Sequence, residues 1–144
     1  MENVECIRKL TFCAGHRVLG HESKCANAHG HNYSVFIHAV AERLDELGRV
    51  IDFSIIKQEI GTWLDTHWDH TFLVYEKDTE LISCRNILEK NKEIFICDFN
   101  PTAENLALYL INTVCPDLLS KKGVRVTKIE LHETENCKVI VEKK

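Results

Sequence analysis

His29-Gly30-His31-Asn32-Tyr33-Ser34-Val35-Phe36-Ile37-His38-Ala39 has a period of two: His29, His31, Tyr33, Val35, Ile37 and Ala39 fall on one side, with His38 on the other. Side chains along an extended chain point to opposite faces in turn, so this alternation predicts a strand from about residue 29 to residue 42. Its apolar side must be covered, which makes it part of a sheet with a packed face. At one end of that side, His29 and His31 have Cα atoms roughly 6.6 Å apart. Two imidazoles at this span can close on one cation through bonds of about 2.0–2.1 Å. They can equally be half-buried strand residues bonded to local partners. Gly30 removes a bulky neighbour between them, and Cys25 just upstream is either a further ligand or a nucleophile and base.

A third imidazole comes from the preceding segment. Residues 4–18 also read as a strand, with Leu10, Phe12, Ala14 and His16 on one face and Lys9, Thr11 and Cys13 on the other. Gly15 and Gly20 mark the exit from the sheet into a loop carrying His21, Glu22 and Lys24. Antiparallel pairing of the two strands brings His16 towards His29 and His31. His21, in the loop, and His38, on the other face, are bystanders.

Further along, Asp45-Glu46-Leu47-Gly48-Arg49 reads as a turn, and Ser54 or Asp52 can cap a helix with Ile56, Ile60, Trp63 and Leu64 on its apolar face. That helix should end near His67. Trp68-Asp69-His70-Thr71-Phe72-Leu73 then sets an acid beside an imidazole, although adjacent residues on a helix do not face each other. Residues 75–92 are polar, consistent with a loop and a short helix over 80–89, and Ile94-Phe95-Ile96-Cys97 is a short strand candidate. Asn100-Pro101-Thr102 supplies a turn and a cap for a helix with Leu106, Leu110 and Val114 four apart, stopped by Pro116. Two strands close the chain, over 124–133 and 138–142. In the first, Val126, Lys128, Glu130 and His132 share one face and Thr127, Ile129, Leu131 and Glu133 the other. The order β-β-α-α-β-β predicts an α+β fold, a four-stranded antiparallel sheet with helices on one face. Strands this apolar on both sides point to oligomerisation through the sheet.

With 144 residues, a hydrophobic fraction of 44% and a charged fraction of 28%, the chain is sized for one globular domain, residues 1–144. No apolar run approaches the roughly 18–20 residues of a membrane span, and the first residues lack a basic start and apolar stretch, so the expected location is the cytoplasm. Seven cysteines without a Cys-x-x-Cys pair argue against a disulfide framework and a thiolate ribbon, and most read as buried reduced thiols. A net charge of −4 with no basic stripe excludes nucleic acid as an expected partner. Arg8, Lys9, Arg17 and Lys24 make the region before the histidine pair locally positive, suited to an anionic small molecule or to a solvated face. No Gly-x-Gly-x-x-Gly fingerprint for a nicotinamide cofactor is present.

Taken in order, Phe12-Cys13-Ala14-Gly15-His16, Cys25-x-x-x-His29-Gly30-His31-Asn32-Tyr33, Asp69-His70, Pro101-Thr102-Ala103-Glu104-Asn105-Leu106 and His132-Glu133-Thr134 resemble the 6-pyruvoyltetrahydropterin synthase superfamily. The resemblance covers essentially the whole chain, and the three-residue spacer between Cys25 and His29 leans towards its bacterial carboxytetrahydropterin branch, which serves queuosine biosynthesis. It implies a tunnelling fold and a zinc-dependent lyase acting on 7,8-dihydroneopterin triphosphate, in a homo-oligomer such as a hexamer or tetramer. On the matching positions it implies that His16, His29 and His31 hold Zn2+, that Cys25 abstracts a proton, and that Asp69 and His70 are acid/base partners reaching the site from a neighbouring subunit. Glu133 corresponds to the carboxylate that anchors the pterin. The sister pyruvoyl-forming activity and a non-catalytic His3Cys zinc module, closed by Cys25, are the alternatives.

Overall fold

Residues 2–144 are described in a computed structural model of the chain. Strand β1 (Cys6–His16) pairs antiparallel with β2 (His29–Ala41) in a register that sets Phe12 opposite Tyr33, Ala14 opposite His31 and His16 opposite His29. Helices α1 (Phe53–Ile56) and α2 (Thr62–His67) follow, joined by a widened turn at Lys57–Gly61. Next come β3 (Thr71–Tyr75), two short helices, α3 (Thr79–Ser83) and α4 (Arg85–Leu88), and β4 (Phe95–Cys97). Helices α5 (Ala103–Tyr109) and α6 (Cys115–Leu119) lead to the antiparallel strands β5 (Val124–Thr134) and β6 (Cys137–Glu142).

The sheet has six strands in the order β4-β3-β1-β2-β5-β6 rather than the expected antiparallel four. The expected four are present as β1, β2, β5 and β6; β3 and β4 are added in parallel at the β1 edge. The reason β3 escapes a pattern search is its burial on both sides: Leu73 and Val74 are adjacent and both fully buried, so the run does not alternate. The face of β5 is also shifted. A bulge opposite His38 and Ala39 returns Val126 to the packed face, which it shares with Ile129 and Leu131 rather than with Lys128.

Helices cover one face of this sheet. Leu10, Phe12, Tyr33, Val35, Ile37, Ile129 and Leu131 meet Ile56, Ile60, Leu64, Trp68, Leu106 and Leu110 in one core. Each such side chain, fully buried, contributes about 1.5–3 kcal/mol, and Phe12 stacks on Tyr33 at 4.7 Å between ring centres. Asp52 caps α1 by accepting the Ser54 N–H at 2.9 Å, and Thr102 caps α5 by accepting the Asn105 N–H at 3.2 Å. Pro116 does not end the second helical run. It lies in the first turn of α6, immediately after a widened turn at Leu110–Val114, where its missing N–H is tolerated.

Only Cys97 and Cys115 are buried among the seven cysteines, fewer than expected, and burial pushes both thiols up to about 12. All seven are free thiols. Gly15 and Gly30 face each other across β1 and β2, and the Phe72 ring lies so close over Gly15 that a Cβ there would stand 2.8 Å from Phe72 Cζ. Among the described residues, no helix is long and apolar enough to cross a membrane.

Candidate active site

The C-terminal end of β1, the N-terminal end of β2 and the far end of β5 converge at one corner of the packed face. Strand pairing places His16 beside His29, and the two-residue period carries His31 to the same side. Glu133, at the end of the apolar row of β5, completes the corner: one ligand atom from each of His16, His29, His31 and Glu133 lies within 4.8 Å of every other. Glu133 Oε1 is 2.8 Å from His31 Nε2 and 3.8 Å from His16 Nε2.

The hydrogen bonds behind these rings show what the corner fits. His16 Nδ1 lies 2.7 Å from the Pro101 carbonyl and His29 Nδ1 lies 2.6 Å from the Asn27 carbonyl. A carbonyl only accepts, so both Nδ1 atoms carry the proton, and in the neutral rings both Nε2 atoms present lone pairs. Those two Nε2 atoms stand 3.1 Å apart. Two lone pairs at that separation can share a cation, a proton or a metal ion. His31 Nε2 is buried on the same point, 2.8 Å from Glu133 Oε1. Burial lowers the affinity of His16 and His31 for a proton, against the opposing pull of Glu133 on both and of the Pro101 carbonyl on His16. Two imidazoles whose Nδ1 atoms are held by carbonyls, a third imidazole and a carboxylate converging on one point are a donor set that fits the metal the sequence implies.

Cys25 sits half-buried in a short turn, Lys24–Ala26, whose Cys25 carbonyl accepts the Val18 N–H at 2.9 Å. Among the described residues its sulfur is not part of the ligand group, where the fourth position falls to Glu133. His21 and His38 stand apart, as expected: His21 Nδ1 accepts the Ser23 N–H, and His38 pairs with Glu5 on the other side of the sheet.

Asp69 and His70 do touch, contrary to the reservation about helical neighbours, because α2 has ended before them. His70 adopts φ 59°, the only positive value at a described non-glycine residue, and its Nδ1 meets Asp69 Oδ2 at 2.7 Å. The other carboxylate oxygen accepts the Cys13 N–H at 2.8 Å, and the His70 N–H donates to the Cys13 carbonyl at 2.6 Å. Burial alone would raise the Asp69 carboxyl, but the Cys13 N–H, His70 and Lys92 outweigh it and hold the group below the usual carboxylate range. His70 is 75% exposed and borders a groove of about 450 Å³ that runs over Cys13, Gly15, Gly30, His31 and Asn32. No hydrogen bond or ion pair joins Asp69 or His70 to Cys25, Glu133 or the three histidines among the described residues. One chain therefore brings the three histidines and Glu133 together, and separately joins Asp69 to His70.

Two supports were not visible in the sequence. Arg17, read as part of a basic patch, is committed to a fork on Asp78, with Nε and Nη2 at 2.7 and 2.6 Å, which ties the residue after His16 to the start of α3. Asn100 bonds both the N–H and the carbonyl of Leu19, and its own carbonyl accepts from Asn105, fixing the turn whose Pro101 carbonyl holds His16.

Comparison with known proteins agrees with this arrangement. A family model described as 6-pyruvoyl tetrahydropterin synthase matches residues 5–144. A protein of Rickettsia bellii named 6-carboxy-5,6,7,8-tetrahydropterin synthase is 40% identical over 138 residues, covering 96% of this chain and 99% of that protein. One of Helicobacter pylori with the same name is 34% identical over 140 residues, covering 90% of this chain and 68% of its own length. Among solved structures, an uncharacterized protein from Wolinella succinogenes shares the fold with a TM-score of 0.84 at 22% identity over 100% of both chains. The 6-pyruvoyl tetrahydropterin synthase of Caenorhabditis elegans follows the chain with a TM-score of 0.69 at 25% identity, covering 100% of this chain and 98% of that one. A match running nearly end to end, together with relatives identical at two residues in five, shows that the chain belongs to the 6-pyruvoyltetrahydropterin synthase family and is an enzyme.

Proposed function

We propose that the protein converts 7,8-dihydroneopterin triphosphate and water to 6-carboxy-5,6,7,8-tetrahydropterin, acetaldehyde and triphosphate, in queuosine biosynthesis in the cytoplasm. The observation that carries this reading is the convergence of His16, His29 and His31 beside Glu133, with the Nδ1 atoms of His16 and His29 held by main-chain carbonyls. The name shared by relatives at 40% and 34% identity supports the carboxy-forming reaction over its pyruvoyl-forming sister.

Zinc held by His16, His29 and His31 would supply a Lewis acid for the side-chain oxygens of the substrate. The chain's own residues do the rest. Cys25 takes a proton from the substrate side chain as thiolate base. His70, its Nδ1–H directed at Asp69, has Nε2 free to receive and return protons, and the ionised Asp69 stabilises the imidazolium while it exists. Glu133 accepts from the ring N–H and amino group of the pterin, which sets the ring beside the metal corner. Hydrogen moves from side chain to ring, so no nicotinamide is consumed.

In keeping with the resemblance, Asp69 and His70 of one copy serve the metal corner and Cys25 of a neighbouring copy, in a homo-oligomer, a hexamer or a tetramer. Exposed Ile7 on β1 and Ile140 on β6, at 45% and 49%, are consistent with burial between copies. The test is incubation of the metal-replete protein with dihydroneopterin triphosphate followed by product identification. Acetaldehyde with the carboxy product is expected; a pyruvoyl product without acetaldehyde would overturn the proposal in favour of the sister activity.

A further inference from the structure

His70 holds its left-handed backbone only because its surroundings impose it, since φ near 59° disfavours a residue with a side chain. The peptide joining Asp69 to His70 is gripped on both edges. Its N–H donates to the Cys13 carbonyl at 2.6 Å, and its carbonyl, that of Asp69, accepts from the Lys92 ammonium. Lys92 also donates to the Asp65 carbonyl in the last turn of α2. That carbonyl would ordinarily accept the Asp69 N–H, but the Asp69 N–H bonds Leu64 instead, at 2.8 Å, which leaves the Asp65 oxygen for the lysine. The neighbouring Thr71 hydroxyl donates to the Glu93 carbonyl at 2.6 Å, so residues 92 and 93 clamp the turn from the side opposite β1. Lys92 is half-buried, and a lysine in a polar stretch between β3 and β4 gives no sign of this from sequence.

We propose that Lys92 is a positioning residue for the acid–base pair: by holding the Asp69 carbonyl and the open end of α2, its ammonium fixes the peptide plane that aims the His70 imidazole. The charge has a second effect: against burial, the Cys13 N–H and His70 do most to hold the Asp69 carboxyl low, and Lys92 adds to them in the same direction. Without it the peptide is held on one edge only, by the Cys13 carbonyl, and the ring loses its single direction and with it the fixed tautomer.

The inference rests on the proposed acid–base role of Asp69 and His70, and the test separates the two. In metal-replete Lys92→Met, kcat should fall between about tenfold and a hundredfold, the scale of a misplaced catalytic group, with KM and bound zinc unchanged. Nitrogen NMR of the resting protein should show the His70 ring losing its single Nδ1–H tautomer, and Lys92→Arg should restore both readouts. Wild-type kcat and wild-type His70 resonances in Lys92→Met would overturn the proposal, as would a loss that Lys92→Arg fails to restore. If Lys92→Met does not fold, Lys92→Gln, which keeps a donor without charge, takes its place under the same criteria. Full turnover in His70→Ala would remove the acid–base reading, while the His70 ring resonances in the Lys92 variants still decide the positioning role.

Discussion

The Nε2 atoms of His16 and His29 stand 3.1 Å apart while main-chain carbonyls hold both Nδ1 protons, so in their neutral forms the two rings offer both lone pairs to one cation. Replacing His29 by alanine removes one of three imidazole donors. His29→Ala should lose stoichiometric zinc, measured by metal analysis of the purified protein, and turnover should fall with the metal content. Retention of a full equivalent of zinc would show that the metal lies elsewhere.

Cys25 is the residue whose two possible roles separate most cleanly. Its sulfur is outside the ligand group, so Cys25→Ala should keep its zinc and lose turnover by about a hundredfold or more, the scale of a lost acid–base catalyst. Loss of the metal instead would make Cys25 a ligand and leave the proton-transfer scheme without its base.

Glu133 carries a similar ambiguity, because it lies 2.8 Å from His31 Nε2. Glu133→Gln keeps the shape and removes the charge. If the carboxylate anchors the pterin, the dissociation constant for a pterin ligand should rise about tenfold to a hundredfold, the worth of a charge-assisted hydrogen bond, while zinc stays bound. Unchanged pterin affinity with weakened zinc would reassign Glu133 to the metal.

The pH dependence of stability should report the Arg17–Asp78 fork. Hydrogen bonding to Arg17 holds the Asp78 carboxyl below the usual carboxylate range, and the side chain is 2% exposed. A depressed folded-state value means that the contribution is fully present above the unfolded value of about 3.9 and is lost as pH falls through the folded one. Asp78→Asn should cost about 2–3 kcal/mol in denaturant unfolding at pH 7, allowing for Arg17 being partly open to water. The gap to wild type should close as the pH drops below about 4. A gap that stays constant into that acid range would show that the carboxylate charge is not what the fork contributes.

Sequence alone revealed most of the metal corner, because it is written in a period of two: His16 ends one alternating strand and His29 and His31 begin the next, so pairing the strands brings them together. Glu133 was legible as the last residue of an apolar row, but not its approach to His31, because the pairing of β5 with β2 ends at His132 opposite Ser34 and Glu133 lies just past it. The parallel strands were harder to see. Leu73 and Val74 are both buried, so β3 has no polar face to alternate with. The contact of Asp69 with His70 depends on a single left-handed residue, and no periodicity encodes one φ angle. Pro116 misled for a related reason, since the widened turn ahead of it absorbs a residue that ordinary helical spacing would count as a stop.

Gly15 lies between two parts of the chemistry without joining either. Its neighbour His16 points into the metal corner, its parallel partner Phe72 is two residues from His70, and a Cβ at position 15 would stand 2.8 Å from that ring. A methyl group added here would act as a wedge against the far edge of the half-buried Phe72 ring, which would have to give way. In a saturation library, position 15 should therefore favour glycine over larger residues, a constraint set by thickness and not by reactivity.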